Sequence, residues 1–214
     1  MAGDWRKTRL TSVVGKVAGC LPEWQVHAMA LARKPGPGLW QVIDFQLDKY
    51  VTSRRFTINV GLRDARLEPL IPEWVRLEPE RPDVGACNLG RTRLGGLIDH
   101  KGLGRLFNDE SRWWDLPSEA WIDSLSRELC SLLMKFAIPD LDRLRSSQTI
   151  AEAWMTSVHA SRFFSGRSRM VLAAVLKDVG RDQEAREVAA AEVAASTGHP
   201  SEVWVKTMAA RLGL

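Results

Sequence analysis

The hydrophobic pattern of the chain changes period along its length. From Leu39 to Leu62 it repeats every second residue. Trp40, Val42 and Asp44 alternate with Gln41, Ile43, Phe45 and Leu47, and Phe56, Ile58, Val60 and Leu62 alternate with Thr57, Asn59 and Gly61. Aromatic and β-branched residues at that period predict the two arms of a β-hairpin buried on one face and joined through the polar stretch Asp48 to Arg54. Upstream, Leu10, Val13, Val14 and Val17 recur at helical spacing. They predict an amphipathic helix from about Asp4, its cap, to Cys20, with Pro22 ending it. Trp24 to Ala32 predicts a first strand, and Pro35, Gly36, Pro37 and Gly38 the turn that returns it into the hairpin.

Downstream, Pro69, Pro72, Pro79 and Pro82 exclude a central strand or a long helix. A fourth strand is predicted over residues 86–94, with Cys87, Leu89, Arg91 and Arg93 on one face. Gly95, Gly96, Gly102 and Gly104 predict a loop that closes at Trp113 and Trp114. Ile122, Leu125, Leu129, Leu132, Leu133 and Phe136 then form a stripe spaced three and four apart. They mark a helix that opens after Ser118 and is stopped by Pro139. Past Ser146 and Ser147 the pattern is helical throughout, with breaks at Gly180 and Gly198. Its alanine-rich faces supply little apolar area, so this tail is expected to dock on the preceding region or on a second chain, with Trp204 as the anchor. The pattern defines an α+β fold: a mostly antiparallel four-stranded sheet packed against helices (residues 1–146), followed by an all-helical C-terminal extension (147–214).

The chain has 214 residues and 45% hydrophobic content, enough for one substantial core. Its net charge of +4 lies in the first half. Residues 1–115 carry 18 Lys and Arg against 14 Asp and Glu, and the remainder 12 against 12. Such a bias falls short of the clustered basic face of a dedicated duplex binder. No apolar run reaches the roughly 20 residues of a membrane span, so no membrane association is expected. Cys20, Cys87 and Cys130 are odd in number, widely spaced and in apolar settings, which predicts buried reduced thiols in a cytoplasmic protein. Val17-Ala18-Gly19-Cys20 has the form of a bacterial lipoprotein cleavage box, but Lys16 interrupts the apolar segment before it.

Candidate chemistry concentrates in residues 90–114. Gly90, Gly95 and Gly96 interleave with Arg91, Arg93, Lys101 and Arg105, types that allow close backbone approach and grip an oxyanion, but neither a GK[ST] ending nor a GxGxxG order is present. Asp99-His100 and Asp109-Glu110 could serve acid–base chemistry, yet no His has metal-ligand spacing to another donor, and no metal or cofactor is expected. Ser165-Gly166-Arg167-Ser168 is a capping loop by type, and no serine lies in a GxSxG elbow. Trp40, Trp121 and Trp154 lie in periodic segments and are assigned to the core. Arg112, Trp113 and Trp114 lie at a loop-to-helix junction, where an exposed Trp beside Arg would form a binding hot spot or the rings would staple the loop to the helix.

The segments WQVIDFQLDKYVTSRRFTINVGL and RTRLGGL, followed by Arg112-Trp113-Trp114-Asp115-Leu116 before a long helix, resemble a bacterial family of unknown function numbered forty-three hundred and four, over residues 5 to about 145. The resemblance implies the α+β fold and a bacterial cytoplasmic setting, and transfers no catalytic residue. The leading functional expectation is a non-enzymatic protein-interaction protein, such as an immunity (toxin-neutralising) or defence-associated factor, with a cognate toxin or a second copy as partner. A nucleic-acid or nucleotide binder using residues 90–105 is the alternative, and an unrecognised hydrolase the third.

Overall fold

The computed structural model describes residues 4–50, 52–70, 87–98, 113–156, 164 and 169–214. Helix α1 (Trp5–Ala18) starts where the Asp4 carboxylate accepts the Arg6 backbone N–H at 3.1 Å, and it buries the predicted stripe Leu10, Val13, Val14 and Val17. Strands β1 (Gln25–His27), β2 (Ala30–Gly36), β3 (Leu39–Leu47) and β4 (Arg55–Asp64) follow as an antiparallel meander. The single first strand expected over Trp24 to Ala32 is therefore two strands. Ala28, at φ 53°, reverses the chain between them, a left-handed backbone that no local residue type announced. Pro35 lies within β2 rather than in the turn. The register shifts between Arg33 and Gly36, and this irregularity tolerates a residue without an N–H. The turn itself rests on Gly38, at φ +73°.

The expected β3–β4 hairpin forms, and its register sets Phe45 opposite Ile58 and Ile43 opposite Val60. It is buried on both faces, not one. Leu39, Ile43, Phe45, Phe56, Ile58, Val60 and Leu62 join the main core beneath α1, while Ala30, Ala32, Trp40, Val42 and Cys87 form a second cluster on the other face. In the hairpin loop Asp48 accepts the Tyr50 N–H at 3.3 Å and lies 3.9 Å from the Arg55 guanidinium.

Strand β4 continues into a 3-10 segment (Ala65–Leu70), and β5 (Gly90–Arg93) pairs back along β4. Cys87 and Leu89 precede β5 and are buried, while Arg91 is exposed. The four residues expected on one strand face thus divide between a buried approach and a short strand. Gly95 and Gly96, expected in a loop, are buried in a short helix, α2 (Leu94–Ile98). Strand β6 (Trp114–Asp115) also pairs with β4, giving six strands among the described residues where four were expected. A 3-10 turn (Glu119–Trp121) then opens α3 (Ile122–Leu132). Trp121, expected in the core, is 66% exposed because it precedes the first buried position, Ile122.

Pro139 does not stop this helix. A proline clashes with the carbonyl four residues earlier, and a π-turn (Leu133–Ala137) absorbs the clash and places Pro139 in the first turn of α4 (Ile138–Arg143). Among the described residues the tail contains α5 (Ser147–Thr156), α6 (Arg169–Asp178), α7 (Asp182–Ser196) and α8 (Glu202–Leu212), with Gly180 and Gly198 at positive φ. Every residue from Met170 to Leu176 is buried, and one apolar cluster runs from the sheet through Leu141, Leu144 and Ile150 into α6. Polar contacts close the same seam. Arg66 pairs with Asp178 at 2.8 Å and donates to Ser147 Oγ at 2.7 Å, and Arg211 donates to the Pro69 carbonyl at 2.9 Å.

The expectation of buried reduced thiols is overturned for Cys20 and Cys130 and holds for Cys87. Cys20, at the end of α1, is exposed and forms a disulfide with Cys130 of α3. Packing of the two helices brings their Cα atoms to 6.3 Å across a sequence separation of 110, within bridging range and invisible to spacing arguments. Cys87 is buried and takes no part in it. Among the described residues, no helix is long and apolar enough to cross a membrane.

A second cross-link is polar. Arg33, 8% exposed, donates to Gln41 Oε1 at 2.6 Å, Glu23 at 2.9 Å and Asp142 at 2.5 Å, and its guanidinium lies 4.8 Å from the Trp24 ring. Gln41 donates onward to the Leu141 and Leu144 carbonyls, tying β3 to the end of α4. Burial alone would raise the Asp142 carboxyl, but hydrogen bonds from Arg145 and Arg33 outweigh it and hold the group below its ordinary value.

Two predictions follow from these links. Reduction, or Cys20→Ser, should lower stability by about 4–5 kcal/mol, the entropy of a closed loop of this size, read as a fall in denaturant midpoint. Equal midpoints with and without reductant would show that the pair does not cross-link the fold. Asp142→Asn should cost about 0.5–1.5 kcal/mol at neutral pH by removing one of the two carboxylates on the buried Arg33 guanidinium, with Glu23 remaining. A lowered folded-state pKa stabilises above the unfolded value of about 3.8 and is lost as pH falls through the folded one. The difference between wild type and Asp142→Asn should therefore close below about pH 4 in acid denaturation; a gap unchanged by pH would remove the charge from the account.

Candidate functional site

The edge of the sheet beside β4 is shared by two separate strands. β5 covers Asn59 to Leu62, β6 covers Arg55 and Phe56, and both run antiparallel to β4, so the chain leaves this edge after Arg93 and rejoins it at Trp114. Alternation decides what the break presents. Trp114 faces the core, 6% exposed, and stacks on Phe56 at 6.1 Å, which in turn stacks on Phe45 at 6.4 Å. Trp113 is half-buried, and the Arg93 guanidinium lies 5.7 Å from the centre of its ring. The N–H of Leu116, bonded to the Arg54 carbonyl at 2.6 Å, anchors the returning segment.

A polar row adjoins this pair. Register places Asp44, Asn59 and Arg93 side by side across β3, β4 and β5. The Asn59 amide donates to Asp44 Oδ2 at 3.2 Å and to Gln46 Oε1 at 3.0 Å. Exposed Arg91 stands opposite Gly61. Gly61 is required there: a Cβ on it would meet Cys87 Sγ at 2.5 Å, so the absent side chain lets the approach to β5 pack against the sheet.

Of the residues singled out from sequence, the structure brings together Arg93 and Trp113, with Arg91 two residues away on β5. Trp114 belongs to the core. Trp204 is half-buried on α8, where it packs against the main core with its indole Nε1 buried and without a hydrogen-bond partner. Lys101, Arg105, Arg112, Asp99-His100, Asp109-Glu110 and Ser165 to Ser168 lie outside the described residues. His27 meets Trp40 edge-on at 6.1 Å, and His199 Nδ1 bonds Ser201 Oγ at 2.8 Å. Among the described residues no three His, Cys, Asp or Glu side chains converge on a metal-sized site. Asp44, Asn59 and Gln46 were not singled out from sequence. Their signal was present as polar residues interrupting two strands whose hairpin register puts 44 opposite 59 and 46 opposite 57.

These features define an α+β protein whose antiparallel sheet carries an Arg, Trp and amide surface at a divided edge. A profile described as Domain of unknown function (DUF4304) matches residues 32–143, more than half of the chain, and the chain belongs to that family. The match runs from β2 to the end of α4, so it contains the Arg93–Trp113 pair but neither α1 nor the helical tail, narrower than the resemblance over residues 5 to about 145. Comparison with curated proteins and with solved structures finds no match to either.

Gly61→Ala should destabilise the protein by about 1–3 kcal/mol through overpacking against Cys87, and Cys87→Ala should recover part of that loss in a double-mutant cycle. Additive effects would show that the close approach does not position β5.

Proposed function

We propose that this chain is a non-enzymatic protein-interaction protein whose contact surface is centred on Arg93 and Trp113. The observation that carries the reading is the half-buried Trp113 ring beside the Arg93 guanidinium, Arg93 being the last residue of β5 and Trp113 the residue just before β6. Trp and Arg are enriched among residues that dominate binding energy, and the neighbouring Trp114, locked in the core, limits the freedom that Trp113 has to lose on association. Asn59, Asp44 and Gln46 supply a polar rim. Asp44 in the same row favours this reading over the nucleic-acid alternative, since a phosphate-tracking surface gathers cations without interleaved carboxylates. The finer form of the proposal is a bacterial cytoplasmic immunity or defence-associated factor that binds a cognate toxin; the family resemblance supports its bacterial setting, and a toxin is the partner to test first.

The test uses the full chain to capture a partner from its source cells, followed by measurement with the purified partner, starting with the product of any adjacent toxin gene. Trp113→Ala and Arg93→Ala, folded by circular dichroism, should each weaken binding tenfold or more, about 1.4 kcal/mol or above. Undiminished binding by both variants would overturn the proposal. So would tight, steeply salt-dependent binding of a generic oligonucleotide by the wild type.

A further inference from the structure

On the β2 side of the strand order, away from the divided edge, a cleft of about 460 Å3 is lined by Glu23, Gln25, Arg33, Lys34, Trp40 and Arg145, together with Pro35. That volume is in the range of small-molecule sites. Three cations reach it from different elements: Arg33 and Lys34 from β2, and Arg145 from just beyond α4. They are not equally engaged. Arg33 is fixed by Gln41, Glu23 and Asp142, and Arg145 pairs with Asp142 at 2.6 Å. The Lys34 ammonium instead sits 4.0 Å from the centre of the Trp40 ring, and among the described residues no carboxylate lies within ion-pair distance of it.

Glu23 is the informative group. Its carboxylate, 67% exposed, touches Arg33 at 2.9 Å and Arg145 at 3.7 Å, so it occupies the position between two guanidinium groups where an incoming oxyanion would bind. A side chain this exposed can swing into water, and the buried Arg33 keeps Gln41 and Asp142 as partners when it does. Once it does, three cations face the cleft with Asp142 as the one remaining carboxylate in their network. The resulting excess of two positive charges matches a dianion.

We propose that this cleft binds a small dianionic oxyanion, a phosphate monoester or a dicarboxylate, gripped by Arg145 and Lys34 over the Arg33 floor, with Glu23 as a built-in competitor. Arg33 orients the site and is too deeply involved in the fold to be a useful variant. Lys34 and Arg145 are exposed and can be changed without disturbing the core.

The test is calorimetric titration of the full chain with inorganic phosphate and, separately, with succinate, at about pH 8, where phosphate is largely dianionic, against sodium chloride at equal ionic strength. Binding of phosphate alone assigns the phosphate class, and binding of succinate alone the dicarboxylate class. Lys34→Gln and Arg145→Gln should each weaken the affinity about fivefold, the size of one unit-charge interaction at about 4 Å in water, and Glu23→Gln should tighten it by a similar factor. Thermal melts establish that each variant is folded. The proposal fails if neither probe binds at tens of millimolar beyond the chloride control. It also fails if Lys34→Gln and Arg145→Gln bind as wild type does, or if Glu23→Gln does not tighten binding. Partner binding through Trp113 is untouched by these variants, so the two sites stand or fall separately.

Discussion

The β3–β4 ladder is the constraint on which the rest of the structure depends. Its residues pair without a break from Leu39 opposite Asp64 to Leu47 opposite Phe56, and both faces are covered, so every other element must adapt to its register. A slip of one residue would move Ile43, Phe45, Ile58 and Val60 from the main core to the side where Trp40, Val42 and Cys87 pack. It would also carry Arg63 and Thr57 into an apolar layer. The register is therefore fixed by two sets of incompatible neighbours rather than by one hydrophobic face.

Burial on both sides forces the fold to satisfy polar groups internally. Arg63, fully buried, is neutralised by Glu68 from the 3-10 segment that follows its own strand. Arg33 and Gln41 reach instead across about a hundred residues to Asp142, Leu141 and Leu144. A buried guanidinium without partners would be prohibitively costly, so these contacts specify where α4 docks more than they add net stability. The Cys20–Cys130 bond and the Arg66 contacts to Asp178 and Ser147 perform the same positioning for α3 and for the tail.

The same ladder shapes the candidate interaction surface. Because β5 and β6 each cover only part of β4, the chain makes its excursion between Arg93 and Trp113 and returns with the next residue, Trp114, locked into the core by aromatic stacking. Two adjacent tryptophans thus have different tasks, set by strand alternation: one holds the segment and the other is presented beside Arg93.

Periodicity in the sequence determined α1, the central hairpin, the stripe of α3, the helical tail and the α+β class, because these follow from local spacing and from turn residues such as Gly38 and Gly180. Arg93 and Trp113 were each singled out from sequence, but in different roles, Arg93 as an anion contact and Trp113 beside Arg112; that the two meet is a tertiary fact. Tertiary structure alone decided the rest. The divided edge, the reversal at Ala28, the exposure of Trp121 and the passage through Pro139 each depend on what packs nearby. The disulfide and the Glu23, Lys34 and Arg145 cleft need residues far apart in the chain to meet, and a linear pattern carries no distance between them. The polar row of Asp44, Asn59 and Arg93 stands between the two cases. Its first two members could be paired from the hairpin alone, but the third is placed beside them only by β5.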